Sequence, residues 1–133
     1  MRGDKLLWAV ALGGAMGALA RFGVSMAALA TLADWAMAGT LIANVAGSLA
    51  IGFVAAWAAQ RPVTPWLEAL LITGFCGGFT TFSAFSLETV TLIVGGDWGS
   101  AGVYVAVSVV LWLAAVWAGW AAGERFFAPR AGG

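Results

Sequence analysis

Residues 74–86 read GFCGGFTTFSAFS and lie in an apolar block that carries no charge until Glu88. Three glycines and two adjacent threonines lower helix propensity there without a proline. A break would free backbone carbonyls and amides, which a membrane tolerates only where they are buried in protein or line a cavity. Interrupted helices at the bilayer centre build ion sites, with carbonyls holding cations and half-helix N-termini facing anions. Just after this point Phe82 and Phe85 are three residues apart and share a helix face, flanking Ser83. Ring edges are electropositive, so two of them turned into a pore could touch an anion without a full charge. Taken alone, such a pair more often fills a core.

Other polar residues sit where lipid should not admit them cheaply. Thr40, Asn44, Gly47, Ser48 and Gly52 form a small and polar stripe at helical spacing. Stripes of this kind usually pack helices, with the amide bonding a neighbouring backbone; the other reading is an amide NH₂ donating to an anion in a pathway. Arg21 lies well inside the first apolar block, where an arginine costs at least about 2.5 kcal/mol unless it snorkels to the interface or finds acceptors. Glu88 lies nearer the end of its block, where solvation is easier. Histidine is absent, which removes the usual zinc ligand, proton shuttle and base for a serine or cysteine nucleophile. The lone Cys76 can form no intramolecular disulfide, and six basic against six acidic residues leave no patch for nucleic acid. The sequence therefore does not read as an enzyme.

The elements that must hold these residues are plain from composition. Of 133 residues 62% are hydrophobic and 9% charged, too few charges to cover a soluble domain. Leu6 to Leu32 is interrupted only by Arg21, Met37 to Ala59 and Ala69 to Leu87 carry no charge, and Trp98 to Gly123 is bracketed by Asp97 and Glu124. Each block reaches the about 18–20 residues that cross the hydrocarbon core, and in lipid such blocks must be helices. The expected fold is thus an all-α integral membrane protein, one domain over residues 1–133 with spans at 6–32, 37–59, 67–94 and 98–123. Pro62, Pro65 and Pro129 fall outside the spans. Trp8, Trp35, Trp57, Trp66 and Trp98 fall near span ends, as an interfacial belt requires, whereas Trp112, Trp117 and Trp120 read as packing residues. A basic start followed by Ala18-Leu19-Ala20 could mark a cleaved signal peptide. The apolar pattern resumes directly after Arg21, however, so the segment reads as a retained span. Arg2, Lys5, Arg61, Arg125 and Arg130 all fall on one side of a four-span chain, which predicts cytoplasmic termini.

The signature GFCGGFTTFSAFS strongly resembles that of the Fluc/CrcB fluoride channels. Gly13-Gly14-x-x-Gly17-Ala18-x-x-Arg21 and Gly39-Thr40-Leu41-x-x-Asn44-x-x-Gly47 resemble the family's first- and second-helix motifs. The resemblance implies a passive, fluoride-selective channel of the bacterial inner membrane that relieves cytoplasmic fluoride toxicity. It also implies two antiparallel subunits with two pores. Asn44, Phe82 and Phe85 would line the fluoride path, and Thr40, Ser83, Tyr104 and Ser108 would supply hydroxyls. The carbonyls of Gly77 and Thr80 would hold a structural Na⁺ at the dimer interface. Arg21 would draw anions to a vestibule, and Glu88 would sit along the path.

This chemistry is coherent. Fluoride is strongly hydrated, so stripping its water needs close donors, while exit needs binding that is not too tight. One four-helix subunit leaves little room for a pore, and the small-xxx-small pairs Gly13/Gly17, Gly74/Gly78 and Gly119/Gly123 permit close helix contact. Two residues depart from the family pattern: Trp112 stands where relatives often carry a small or hydroxyl residue, and Ala84 where threonine is common. The one-sided charge is also unexpected for opposed copies, so pairing with an oppositely oriented paralogous chain stands beside the homodimer. Two other classes compete. A proton-coupled exporter similar to the small multidrug transporters would use Glu88, although those carry their key glutamate in the first helix. A non-conducting assembly subunit would need the glycine faces and not the Phe pair.

Overall fold

The computed structural model describes residues 2–32, 35 and 37–128, with Arg2 by its backbone alone. Pro129 and Arg130, and the side chain of Arg2, lie outside the described residues. The chain forms α1 (Arg2–Thr31), α2 (Ala38–Gln60), α3 (Pro65–Glu68), a π-helical stretch (Ala69–Cys76), α4 (Gly77–Phe79), α5 (Phe82–Val94) and α6 (Trp98–Phe127). Four helical segments are long and apolar enough to cross a membrane: 3–31, 38–60, 65–94 and 98–127. They extend a few residues past several of the expected ends, since a helix continues through interfacial residues once its caps allow.

Side chains mark where three of these helices start. Thr64 accepts the Leu67 N–H at 3.3 Å, with Pro65 in the first turn where its missing donor costs nothing. Thr81 accepts the Ala84 N–H at 3.2 Å to begin α5, and Asp97 accepts the Ser100 N–H at 3.0 Å to begin α6. Between α5 and α6 the chain reverses through Gly96, whose φ of 82° suits a residue without a Cβ.

Two helix pairs make the core. In the first, α1 lies on the π-helical stretch and α4. A Cβ on Gly13 would stand 2.1 Å from the Leu70 carbonyl oxygen, and one on Gly78 would stand 2.4 Å from that of Gly14. In the second, α2 packs along α6. There a Cβ on Gly52 would meet the Val116 carbonyl oxygen at 2.2 Å, and one on Gly119 would meet that of Leu49 at 2.1 Å. All three small-xxx-small pairs are therefore engaged within the chain, where backbones meet without intervening side chains.

The outer faces are apolar. Leu19, Val94, Leu113 and Trp117 are among the most exposed residues, which suits contact with lipid tails or another apolar surface rather than water. Trp8, Trp35, Trp66 and Trp98 are exposed at helix ends, as an interfacial belt requires. Trp117 is 74% exposed and Trp120 is also exposed, so neither packs inside the chain as expected. Their positions on α6 turn them outward, whereas Trp112, on the inner stripe, does pack.

The π-helical stretch was not expected. Nothing in ALLITGFC marks an i→i+5 pattern, and each of its residues is compatible with an α-helix.

Candidate functional site

Between α4 and α5 the backbone is extended at two residues, Thr80 (φ −82°, ψ 156°) and Thr81 (φ −147°, ψ 125°). The hydrogen bonds around them follow from that geometry. In an uninterrupted helix the Thr81 N–H would meet the Gly77 carbonyl; here it donates to Asn44 Oδ1 at 2.7 Å. The Ala84 N–H, which would reach the Thr80 carbonyl, donates instead to Thr81 Oγ1 at 3.2 Å. The carbonyls of Gly77 and Thr80 are thereby relieved of their helical donors. Thr80 Oγ1 donates back to the Cys76 carbonyl at 2.9 Å, and its methyl lies where a Cβ on residue 47 would stand, which explains Gly47.

Asn44 holds this segment from α2. Its Oδ1 takes the Thr81 N–H, and its Nδ2 donates to the Thr81 carbonyl at 2.8 Å. The amide thus pairs with both polar groups of one extended residue, as a neighbouring strand would. Asn44 is buried, and an amide has two N–H donors, so the bond to Thr81 accounts for one of them. This is the packing reading of the stripe, the amide bonding a neighbouring backbone, and it leaves one N–H uncommitted to Thr81.

Arg21 reaches the same segment from α1, its Nε donating to the Gly78 carbonyl at 3.3 Å. A guanidinium beside the last carbonyls of a helix is favoured by their partial negative charge. The arginine is half-buried and finds an acceptor inside the protein.

Next to the Asn44 clamp, Glu88 of α5 draws α2 and α6 together. Thr40 Oγ1 donates to its Oε1 at 2.6 Å, and the Tyr104 hydroxyl donates to its Oε2 at 2.5 Å. Each hydroxyl has one proton, so in this arrangement both are committed to the carboxylate. Tyr104 also lines a hollow of ≈ 590 Å³ with Trp35, Leu41, Asp97 and Ser100.

Phe85 is buried at the centre of an aromatic group. Its ring lies 5.3 Å from that of Tyr104, 5.6 Å from that of Phe82 and 4.9 Å from that of Trp112, the last edge-on at 73°. Phe82, by contrast, is 72% exposed on the surface of the single chain. Ser83 is exposed as well, its Oγ 3.2 Å from Thr81 Oγ1, and so is Gly77. A cleft of ≈ 230 Å³ runs along the extended segment, lined by Asn44, Gly47, Thr80, Thr81, Phe82 and Trp112. Ser108 is fully buried on α6, one turn from Tyr104.

The structure thus brings Thr40, Asn44, Phe85, Glu88, Tyr104 and Ser108 onto the facing surfaces of α2, α5 and α6, and leaves Phe82, Ser83 and Gly77 at the outer face. Sequence reasoning missed Thr81, whose backbone and side chain together organise the interruption; the adjacent Thr-Thr was its only signal. It also missed the Gly78 carbonyl as the acceptor for Arg21, which no pattern in sequence announces. Among the described residues no group of three or more His, Cys, Asp or Glu side chains could hold a metal.

The family model described as CrcB-like protein, Camphor Resistance (CrcB), matches residues 8–120. The chain is 46% identical over 121 residues to the fluoride-specific ion channel FluC of Hyphomonas neptunium, covering 90% of this chain and 95% of that one. It is 50% identical over 119 residues to FluC of Paracoccus denitrificans, covering 90% and 94%. FluC of Gloeobacter violaceus is 42% identical over 120 residues, covering 86% and 93%.

Proposed function

This chain belongs to the CrcB family, and on that premise we propose that it is a fluoride-selective channel that lets cytoplasmic fluoride leave a bacterial cell passively. The observation that carries the reading is the Asn44 clamp: a buried amide that holds an extended segment beside a cleft in the middle of an apolar span and keeps one N–H of its own to donate. A small, strongly hydrated anion needs such fixed donors to replace its water, and weak aromatic edges to let it go. Asn44 and Phe85 would form the path, with Ser108 along it; Thr40 and Tyr104 would border it, their hydroxyl protons held by Glu88 and not free for the ion in this arrangement. The hollow bounded by Tyr104 and Asp97 fits an approach to that path. Arg21 both holds the interrupted helix and offers positive potential to an incoming anion.

The same reading extends to assembly. Phe82 and Ser83 complete the path only if another chain covers them, which supports a dimer; opposed copies are the arrangement we propose for it. The carbonyls of Gly77 and Thr80, whose helical donors are diverted, suit a Na⁺ ion held between the two subunits. That ion would supply fixed positive charge at the interface. A homodimer is the simpler arrangement, and an oppositely oriented paralogous partner is the other.

The test is fluoride efflux from proteoliposomes containing this protein alone, read by electrode, with and without a K⁺ ionophore and with chloride as control. Fast efflux that requires the ionophore, with little chloride leak, is the expected result. Efflux driven by a pH gradient without the ionophore would instead support the exchanger, for which Glu88 is the residue to hand. A folded sample with no flux until a second chain is added would overturn the homodimer.

A further inference from the structure

The ≈ 590 Å³ hollow bordered by Tyr104 carries a charge of the wrong sign for an anion's approach. Asp97 is the one charged residue in its lining, and seven residues separate it from Tyr104, about 10 Å along α6. Nothing in the lining offsets that charge. The walls come from residues 35–41 and 92–107, and Lys and Arg are absent from residues 22–60 and 62–124. The helix ends do not offset it either. At this end of the molecule α2 and α6 begin while α1 and α5 finish, so positive and negative macrodipole ends oppose in pairs. Asp34, in the α1–α2 connection, has the same sign and lies outside the described residues. The carboxylate is also fixed in place and kept ionised. One oxygen accepts the Ser100 N–H at 3.0 Å, and the Ser100 side chain, then that N–H, hold the carboxyl below the ordinary aspartate range. Capping alone does not call for the charge, since Asn or Ser caps a helix as well as Asp.

We propose that Asp97 is an electrostatic brake on the fluoride path: its fixed carboxylate lowers the fluoride concentration in the hollow and so limits how often the ion enters through this end. The inference rests on the reading of this chain as a fluoride channel with the hollow as an approach. A unit charge about 10 Å away in water changes the local concentration of a monovalent anion about twofold, and low-dielectric walls enlarge the effect. Because the brake acts on every monovalent anion alike, it sets throughput and not the choice between fluoride and chloride.

The test separates charge from structure by screening. Single-channel fluoride currents are recorded across planar bilayers of neutral lipid at constant fluoride concentration. Sodium isethionate raises the ionic strength from about 0.02 M, where the screening length exceeds the span from Asp97 to Tyr104, to about 1 M, where it is about 3 Å. Asp97→Asn keeps an acceptor for the Ser100 N–H and removes the charge. Its current should exceed that of the wild type by about 1.5- to 2-fold at low ionic strength and match it at high ionic strength. Val103→Lys places a positive charge in the same lining and leaves Asp97 untouched. It should also raise the current at low ionic strength, and the preference for fluoride over chloride should stay unchanged in both variants. An Asp97→Asn current equal to that of the wild type at low ionic strength overturns the proposal. So does a rise that survives at about 1 M, which would make the residue a structural one. A wild type that carries no fluoride current at either ionic strength overturns the channel reading and the brake together, whereas a conducting wild type beside an indifferent Asp97→Asn overturns the brake alone.

Discussion

Asn44 does two jobs with one amide, and the geometry separates them. Replacing it by Ala strands the Thr81 N–H and carbonyl, at about 1–3 kcal/mol for each group left without a partner. Asn44→Ala should therefore lower the thermal midpoint of the detergent-solubilised protein and abolish fluoride efflux together. Asn44→Asp keeps an acceptor for the Thr81 N–H but turns a second oxygen toward the Thr81 carbonyl; it should lose flux as completely. Glu88 presents the opposite case. Its carboxylate claims the protons of Thr40 and Tyr104, which are then unable to face an anion. Glu88→Gln removes the negative charge and keeps one acceptor for one hydroxyl. Efflux at fixed membrane potential should change by no more than about tenfold, the scale of one neutral hydrogen bond. It should also be no more sensitive to a pH gradient than the wild type. Abolished flux with lost pH coupling in this variant would identify an exchanger.

At the scale of elements, packing is decided by where backbones meet. Gly78→Ala would push a methyl to within 2.4 Å of the Gly14 carbonyl oxygen, so α1 and α4 would have to part. The expected cost is about 1–3 kcal/mol, read as a lower unfolding midpoint in mixed micelles. Gly102→Ala is the control, because nothing lies within 4 Å of the added carbon. It should be neutral or stabilise α6 by up to about 1 kcal/mol through helix propensity alone. The start of α6 depends on pH. Asp97 lies just outside the span, and its carboxyl is held below the ordinary aspartate range by the Ser100 side chain and then by the Ser100 N–H. A group depressed in the folded state stabilises it fully above its unfolded pKa and loses that contribution as pH falls through the folded one. Amide exchange in the first turn of α6 should therefore quicken, relative to its intrinsic rate, below about pH 4, and Asp97→Asn should flatten this dependence.

These elements were unevenly legible in sequence. The four spans were, because charge and apolar block length answer to the bilayer directly. The glycine pairs were legible as contact faces, but not that their partners lie in the same chain: nothing in a spacing of four says which backbone will approach. The Asn44 stripe pointed at hydrogen bonding to backbone, and the structure names Thr81 as the residue held. The π-helical stretch was invisible, since each of its residues is equally compatible with an α-helix.

For the whole molecule, the outward faces carry the remaining information. Phe82 is exposed in one chain although its neighbour Phe85 is buried, and five basic residues share one side of the sequence. If opposed copies pair, a reporter fused at the C-terminus should be found on both sides of the membrane, despite that bias. Replacing Na⁺ by a large organic cation on both sides, with extensive dialysis, should reduce fluoride efflux if the Gly77 and Thr80 carbonyls hold the ion between subunits.

The bond from Arg21 to the Gly78 carbonyl joins residues 57 positions apart, and that separation has a consequence in time. During synthesis the first span is made before its acceptor exists. For that interval it carries a bare arginine, worth about 2.5–3.5 kcal/mol against insertion. The first helix therefore gains its full hold on the bilayer only when the third arrives.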